Sequence, residues 1–183
     1  MNFLVTGGAG FIGSNLVDSL IELNHNVIVI DNEAASENEI FYWNSKAENY
    51  KYDICNYNKI EPLFRNVDCV FHLAAESRIQ TAIQNPSRTF KVNVIGTLNI
   101  LDALRKHKVN RIVYSSTSSY YGLKNNPPLV EDMDRDCLNP YSCSKVAGED
   151  IIKMYSNLYD INSVIFRYFN VYGNRQPTKG QYA

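Results

Sequence analysis

Thr6-Gly7-Gly8-Ala9-Gly10-Phe11-Ile12-Gly13 is the stretch on which the reading of this chain turns. It follows a short apolar strand pattern, Asn2–Thr6, and leads into Ile12, Leu16, Leu20 and Leu23 at helical spacing. Glycines at a strand-to-helix junction let the backbone turn sharply and approach a pyrophosphate. Free N–H groups and the partial positive charge of the helix N-terminus then meet the anion. Taken alone, such a cluster also marks an ordinary turn.

The next strand narrows the choice. Val27–Ile30 is apolar and ends on Asp31, 18 residues beyond Gly13. That is close to the ~20 at which an acid binds the hydroxyls of an adenosine ribose. A carboxylate there repels a 2′-phosphate, which favours NAD over NADP. The plainer reading of Asp31 is a helix cap or a solvated strand end.

Outward from this unit the alternation of strand and helix repeats. A strand is expected around Asn49–Tyr52, a short helix through Ile60–Phe64, and a strong strand over Val67–Leu73. Phe90, Val94, Leu98 and Leu101 make one helical face, and Arg111–Tyr114 reads as a strand opening into a serine-rich turn. After a loop with an acidic run (Glu131, Asp132, Asp134, Asp136), read as a solvated face, a helix from Pro140 to Tyr159 carries Ala147, Ile151, Met154 and Leu158 on one side. The strand Ser163–Tyr168 closes the series. Such βα repeats predict an α/β fold: a Rossmann-like, doubly wound parallel sheet with helices on both faces and right-handed crossovers.

The 183 residues carry 18 Lys+Arg against 19 Asp+Glu, so the chain lacks the basic field that nucleic acid or an anionic membrane would require. With 45% apolar and 20% charged residues it has the composition of a globular chain, and its length suits one domain. No apolar run approaches the ~20 residues of a membrane span. The four cysteines form no CxxC pair and no metal-ligand spacing with the three histidines; reduced thiols, a cytoplasmic location and no metal are expected.

Tyr141 and Lys145 stand four apart on the expected helix and project from one face. A lysine cation beside a phenol favours the phenolate, the direction a tyrosine general base needs. Hydroxyls to complete a relay come from Ser115-Ser116-Thr117-Ser118-Ser119, at the carboxyl edge of the sheet where α/β ligands bind. By itself the run also reads as a hydroxyl-rich turn. His72 lies inside a strand pattern and is expected to be a satisfied core residue.

With these residues in view, the sequence resembles the extended short-chain dehydrogenase/reductase superfamily, in its nucleotide-sugar epimerase/dehydratase branch. The motifs that carry the likeness run in order: TGGAGFIGS at 6–14, Asp31, Asp53-Ile54, HLAA at 72–75, Asn93 in NVIGT, SSTSSYYG at 115–122, YSCSK at 141–145 and RYFNVYG at 167–173. The resemblance implies NAD as cofactor, with Gly7, Gly10, Phe11, Ile12 and Gly13 at the pyrophosphate and Asp31 with Asn32 at the adenosine ribose. It further implies Asp53 and Ile54 at adenine, and Leu73, Ala74 and Ala75 along the dinucleotide. Lys145 would contact the nicotinamide ribose, Tyr168 and Val171 would lie beside the nicotinamide, and Asn93 and Ser115 would help fix that neighbourhood. Thr117 and Tyr141 would be catalytic and touch the substrate, and Asn170 would reach its diphosphate or sugar.

Members of this branch open alike: tyrosine takes a sugar hydroxyl proton while hydride passes to NAD. In its dehydratases an Asp-Glu pair follows the Ser/Thr, and its decarboxylases keep a Glu at the second position; here stand Ser118 and Ser119. A hydroxyl has no accessible charged form at neutral pH for the elimination. A UDP-sugar 4-epimerase of the glucose/galactose or N-acetylhexosamine type, acting through a 4-keto intermediate, is therefore the expectation. A dehydratase, decarboxylase or reductase of the same superfamily, or an NAD-binding module without turnover, is the alternative. The family usually runs beyond 300 residues, so residues 1–183 are expected to be its NAD-binding domain, cut before the substrate domain. A homodimer is implied through helices around Phe90–Leu104 and Ala147–Leu158, whose apolar faces are equally explained by packing on their own sheet.

Overall fold

A computed structural model describes residues 1–35 and 38–178, so residues 179–183 of the tail lie outside it. Six strands form one parallel sheet: β1 (Asn2–Thr6), β2 (Asn26–Asp31), β3 (Glu48–Lys51), β4 (Cys69–His72), β5 (Arg111–Thr117) and β6 (Asn162–Tyr168). Their order, β3-β2-β1-β4-β5-β6, reverses direction of winding between β1 and β4. This is the Rossmann arrangement, and it opens a crevice at the carboxyl ends of β1 and β4. The expected fold class is therefore what forms.

The register divides the side chains between two cores. Phe3, Val5, Val27 and Val29 point towards α1 (Phe11–Glu22) and meet its Val17 and Leu20. Leu4, Ile30, Val70, Ile112 and Tyr114 point the other way. There they meet Ile100, Leu101 and Leu104 of α5 (Thr97–His107) and Ile152 and Tyr155 of α6 (Pro140–Tyr159). Central strands buried on both faces explain why β1 and β4 read as continuous apolar runs. On the α1 side, β6 is left bare: Val164 and Phe166 are about half exposed, and among the described residues no strand pairs with its outer edge.

Several boundaries depart from expectation for physical reasons. The helix expected over Ile60–Phe64 begins earlier, as α2 (Tyr57–Ile60), and tightens into a 3₁₀ turn at Glu61–Phe64, where Pro62 has no N–H to offer. The short helices α3 (Ile79–Gln84) and α4 (Pro86–Phe90) lead into a π-helical turn, Lys91–Gly96, and then α5. The wide turn shifts the periodicity. Phe90 is exposed while Leu101 is buried, and the inward positions are Thr89, Asn93 and Thr97. On α6 the face expected to be apolar is split: Met154 and Leu158 are exposed and Ile151 packs against the core, whereas Ser142, Lys145, Val146, Gly148, Glu149, Ile152 and Tyr155 face inward. The acidic loop is not wholly a solvated face either. Half-buried Asp136 accepts hydrogen bonds from the backbone N–H groups of Leu123 and Lys124, each 2.9 Å, and so fixes the turn at Gly122.

Candidate active site

At the crevice lies a cleft of about 1180 Å³, above the ~300–1,000 Å³ of most small-molecule pockets. One end is built from the glycine stretch. Gly7 turns with φ +70°, a conformation that glycine adopts without strain, and a Cβ on Gly13 would stand 2.1 Å from the Gly7 carbonyl oxygen. Only hydrogen allows α1 to start so close to β1. Gly10 caps α1 with no side-chain hydrogen bond, and the first turn has no acidic residue, so its N–H groups face the cleft. The cradle suits a dinucleotide pyrophosphate.

Asp31 ends β2 beside this cradle. Its carboxylate accepts hydrogen bonds from the Ala9 N–H at 3.1 Å and the Glu33 N–H at 2.8 Å. Burial pushes its pKa up, and those two hydrogen bonds oppose the rise. Asn32, Asp53 and Ile54 line the same end, as do Leu73, Ala74 and Ala75 along the β4 rim. His72, one residue before Leu73, is a core residue as expected. Its Nδ1 lies 2.7 Å from Thr6 Oγ1 and its Nε2 lies 2.9 Å from Thr97 Oγ1. Thr97 donates to the Asn93 carbonyl at 2.6 Å, so it accepts from Nε2–H, and burial drives the imidazole pKa down to about 3.

The other end is built by β5 and α6. Ser115, Ser116 and Thr117 belong to β5 rather than to a turn, because each pairs with β6, and the turn starts with a 3₁₀ segment at Ser118–Tyr120. A capping box at Asn139 and Ser142, followed by Pro140 in the first turn, starts α6 so that Tyr141 and Lys145 face the cleft one turn apart. Thr117 lines the same wall as the Tyr141 phenol, and its hydroxyl acts to lower the phenol's pKa. Lys145 Nζ sits 4.2 Å from the centroid of the Tyr114 ring, and burial lowers its pKa to about 7, against a rise from Glu149. At neutral pH such an ammonium is only about half charged. The Tyr141 phenol is not lowered as expected: burial raises its pKa, and the neighbouring Thr117 hydroxyl only moderates the rise.

Ser115, Tyr168, Asn170 and Val171 line this end too. Asn93 does not. It is buried in the π turn, where its Nδ2 donates to the Glu76 carbonyl at 3.0 Å and to Ser144 Oγ at 2.9 Å. Its Oδ1 accepts from the Glu76 N–H at 2.7 Å, and Ser144 donates to the Tyr141 carbonyl at 2.7 Å. The amide thereby ties the cleft wall after β4 to the first turn of α6.

Two features had no sequence reading. A Glu149–Arg167 ion pair backs Lys145, and Ser116 donates to the same carboxylate. The segment after Gly173 folds back on α1, with Arg175 Nη2 at 2.6 Å from Asp18 and Asn15 donating to the Asn174 carbonyl at 3.0 Å. This brings Gln176 and Pro177 into the cleft wall. Arg78 also lines the cleft. Among the described residues no group of three acidic, histidine or cysteine side chains is placed to hold a metal, and no helix is long and apolar enough to cross a membrane.

Comparison with known proteins agrees with this geometry. A Methanocaldococcus jannaschii protein provisionally named UDP-glucose 4-epimerase is 44% identical over 97% of this chain and 58% of its own length. The structure of the Thermotoga maritima UDP-glucose 4-epimerase with UDP-glucose superposes with a TM-score of 0.92 at 36% identity, covering 99% of this chain and 59% of that one. The Thermus thermophilus UDP-glucose 4-epimerase complex with NAD gives 0.91 at 34% identity, over 100% and 59%. The chain thus spans about three fifths of the length of the relatives it matches. The profile of the NAD dependent epimerase/dehydratase family matches residues 3–182, and the chain belongs to that family, whose cofactor is NAD.

Proposed function

We propose that this chain carries the NAD-binding and proton-transfer machinery of a nucleotide-sugar 4-epimerase acting on a UDP-hexose. The observation that carries the reading is the convergence of Thr117, Tyr141 and buried Lys145 on the same cleft that the glycine cradle and Asp31 line. Gly7, Gly10, Phe11, Ile12 and Gly13 hold the pyrophosphate, Asp31 and Asn32 the adenosine ribose, and Asp53 and Ile54 the adenine. Leu73, Ala74 and Ala75 line the dinucleotide, Lys145 binds the nicotinamide ribose, and Ser115, Tyr168 and Val171 flank the ring. Asn93 acts from behind as a positioning residue, and Asn170 binds substrate.

Tyr141 takes the proton of the sugar 4-hydroxyl and returns it, while Thr117 fixes that hydroxyl. NAD, when bound, supplies a hydride acceptor and donor and, in its oxidised form, a positive charge beside the phenol. That charge acts in the same direction as Lys145, against the rise that burial imposes on Tyr141. Ser118 and Ser119 line the cleft where an elimination would need acids, which favours return of hydride over loss of water. The exposed apolar residues Phe90, Ile95, Met154 and Leu158 favour a homodimer through the stretch around Phe90–Leu104 and the one around Ala147–Leu158.

The second reading, a cofactor-binding module without turnover, is favoured by the Tyr141 phenol, whose pKa burial raises rather than lowers. Incubation with NAD and each UDP-sugar, followed by NMR of the anomeric protons, separates the two. A C4 epimer that forms with the parent and is lost in Tyr141→Phe supports the enzyme. NAD binding with every sugar unchanged supports the module.

A further inference from the structure

Cys137 and Cys143 bracket Tyr141, and neither has a part in the cofactor or proton-transfer chemistry. Cys137 ends the loop that leads into α6, directly after Asp136, which is tied at its backbone N–H to the Tyr120 carbonyl at 2.8 Å. Cys143 lies in the first turn of α6, where its N–H donates to the Asn139 carbonyl at 3.1 Å. Both positions are therefore held by backbone bonds. Cys143 Sγ lies 3.9 Å from the Cys137 carbonyl oxygen, so the first turn of α6 sets its thiol against the Cys137 backbone. Both side chains are partly exposed, so a small oxidant reaches them. By contrast, Cys69 is buried and Cys55 stands apart.

We propose that Cys137 and Cys143 form an oxidation site that closes to an intrachain disulfide around Tyr141, driven by a two-electron oxidant of the peroxide class. One sulfur attacks the peroxide, breaking its O–O bond and giving a sulfenic acid and water. The other sulfur then displaces hydroxide from it as the S–S bond forms. The two thiols lose two electrons and two protons, and the peroxide becomes two waters. The ring so formed contains Leu138, Asn139, Pro140, Tyr141 and Ser142, and hence the whole capping box of α6. A sulfur–sulfur bond of about 2.0 Å is far shorter than a thiol–thiol contact. Closure therefore draws the loop onto the first turn and re-aims the phenol between them.

The chain itself provides a clean readout, because no lysine or arginine lies between Arg135 and Lys145, so both cysteines fall in one tryptic peptide. The chain is treated with hydrogen peroxide, its free thiols are blocked with N-ethylmaleimide, and it is digested and weighed. The expected result is peptide 136–145 lighter by two hydrogens, unlabelled, from a chain still monomeric on a non-reducing gel. Dithiothreitol restores two labels, and in Cys143→Ser the same treatment gives no internal disulfide, so peptide 136–145 never appears two hydrogens lighter. Two labels on the oxidised peptide, a sulfinic acid, or a disulfide between chains overturns the proposal. A companion assay of turnover, expected to fall at least tenfold on oxidation and return on reduction, rests on the functional reading above. The mass shift does not, so the two fail separately.

Discussion

Glu149 and Arg167 form a two-pronged ion pair directly behind the site, with Arg167 Nε at 3.1 Å from Oε1 and Nη2 at 2.9 Å from Oε2. The carboxylate is fully buried, and the guanidinium stacks 3.3 Å from the Tyr120 ring centroid. Burial pushes the Glu149 pKa up, but the Arg167 and Ser116 hydrogen bonds outweigh it and hold the group below the usual carboxylate range. Removing one partner leaves the other charge buried and alone, which costs about 3–5 kcal/mol. Glu149→Gln is expected to lower stability by that order in urea unfolding, and Glu149→Gln with Arg167→Met to recover much of it. A double variant no more stable than the single one refutes the pairing.

The buried ammonium of Lys145 carries a stability signature of its own. Its folded pKa, about 7, lies below its ordinary 10.5, so the unfolded chain binds the extra proton between these values. Stability therefore rises with pH across that window, and the burial penalty is complete below pH 7. In the absence of cofactor, Lys145→Met is expected to unfold at a higher temperature than the parent at pH 6. The gain should fade as pH approaches 10. An equal difference at both pH values would show that the lysine is not the titrating group.

His72 governs the acid limb. It is neutral in the fold, with a pKa near 3 against 6.5 unfolded, so stability drains as pH falls from 6.5 towards 3. His72→Phe removes the titration and leaves Thr97 bonded to the Asn93 carbonyl and Thr6 bonded to the Ala74 N–H. It is expected to cost about 1–3 kcal/mol at pH 7 for the lost hydrogen bonds, yet to show a flatter decline between pH 6 and 4. Parallel acid curves for parent and variant would refute this.

Gly13→Ala tests the cradle. Its new methyl meets the Gly7 carbonyl and the Gly8 Cα, both backbone, so neither can rotate away. Calorimetric titration is expected to show NAD affinity reduced at least tenfold, with a lowered unfolding temperature. Gly10→Ala, where a Cβ would find only ordinary contacts, should cost much less. Equal losses at the two positions would overturn the close-approach argument.

The glycine stretch, Asp31 and the Tyr141/Lys145 pair were legible because each is set by a local rule: a turn geometry, a strand end, a helical repeat of four. The limits of α6 were legible for the same reason, since Asn139 and Pro140 announce its start. Its orientation was not. The usual rule sends apolar residues inward, and Ile152 and Tyr155 obey it, but the same inward face also holds Lys145 and Glu149, while Met154 and Leu158 point out. Periodicity likewise failed over Phe90–Leu101, because nothing in the sequence marks the π turn that Asn93 occupies. The Glu149–Arg167 pair joins residues 18 apart on different elements, a contact that only the register of β5 and β6 creates.

The bare flank of β6 bears on how this chain behaves in concentrated solution. An outermost strand bonded to β5 on one edge alone among the described strands, with Val164 and Phe166 presenting an oily stripe, is a template onto which another extended segment can zip. Pairing from chain to chain at that border is the expected outcome at high concentration, and a charged residue at Val164 or Phe166 is expected to suppress it.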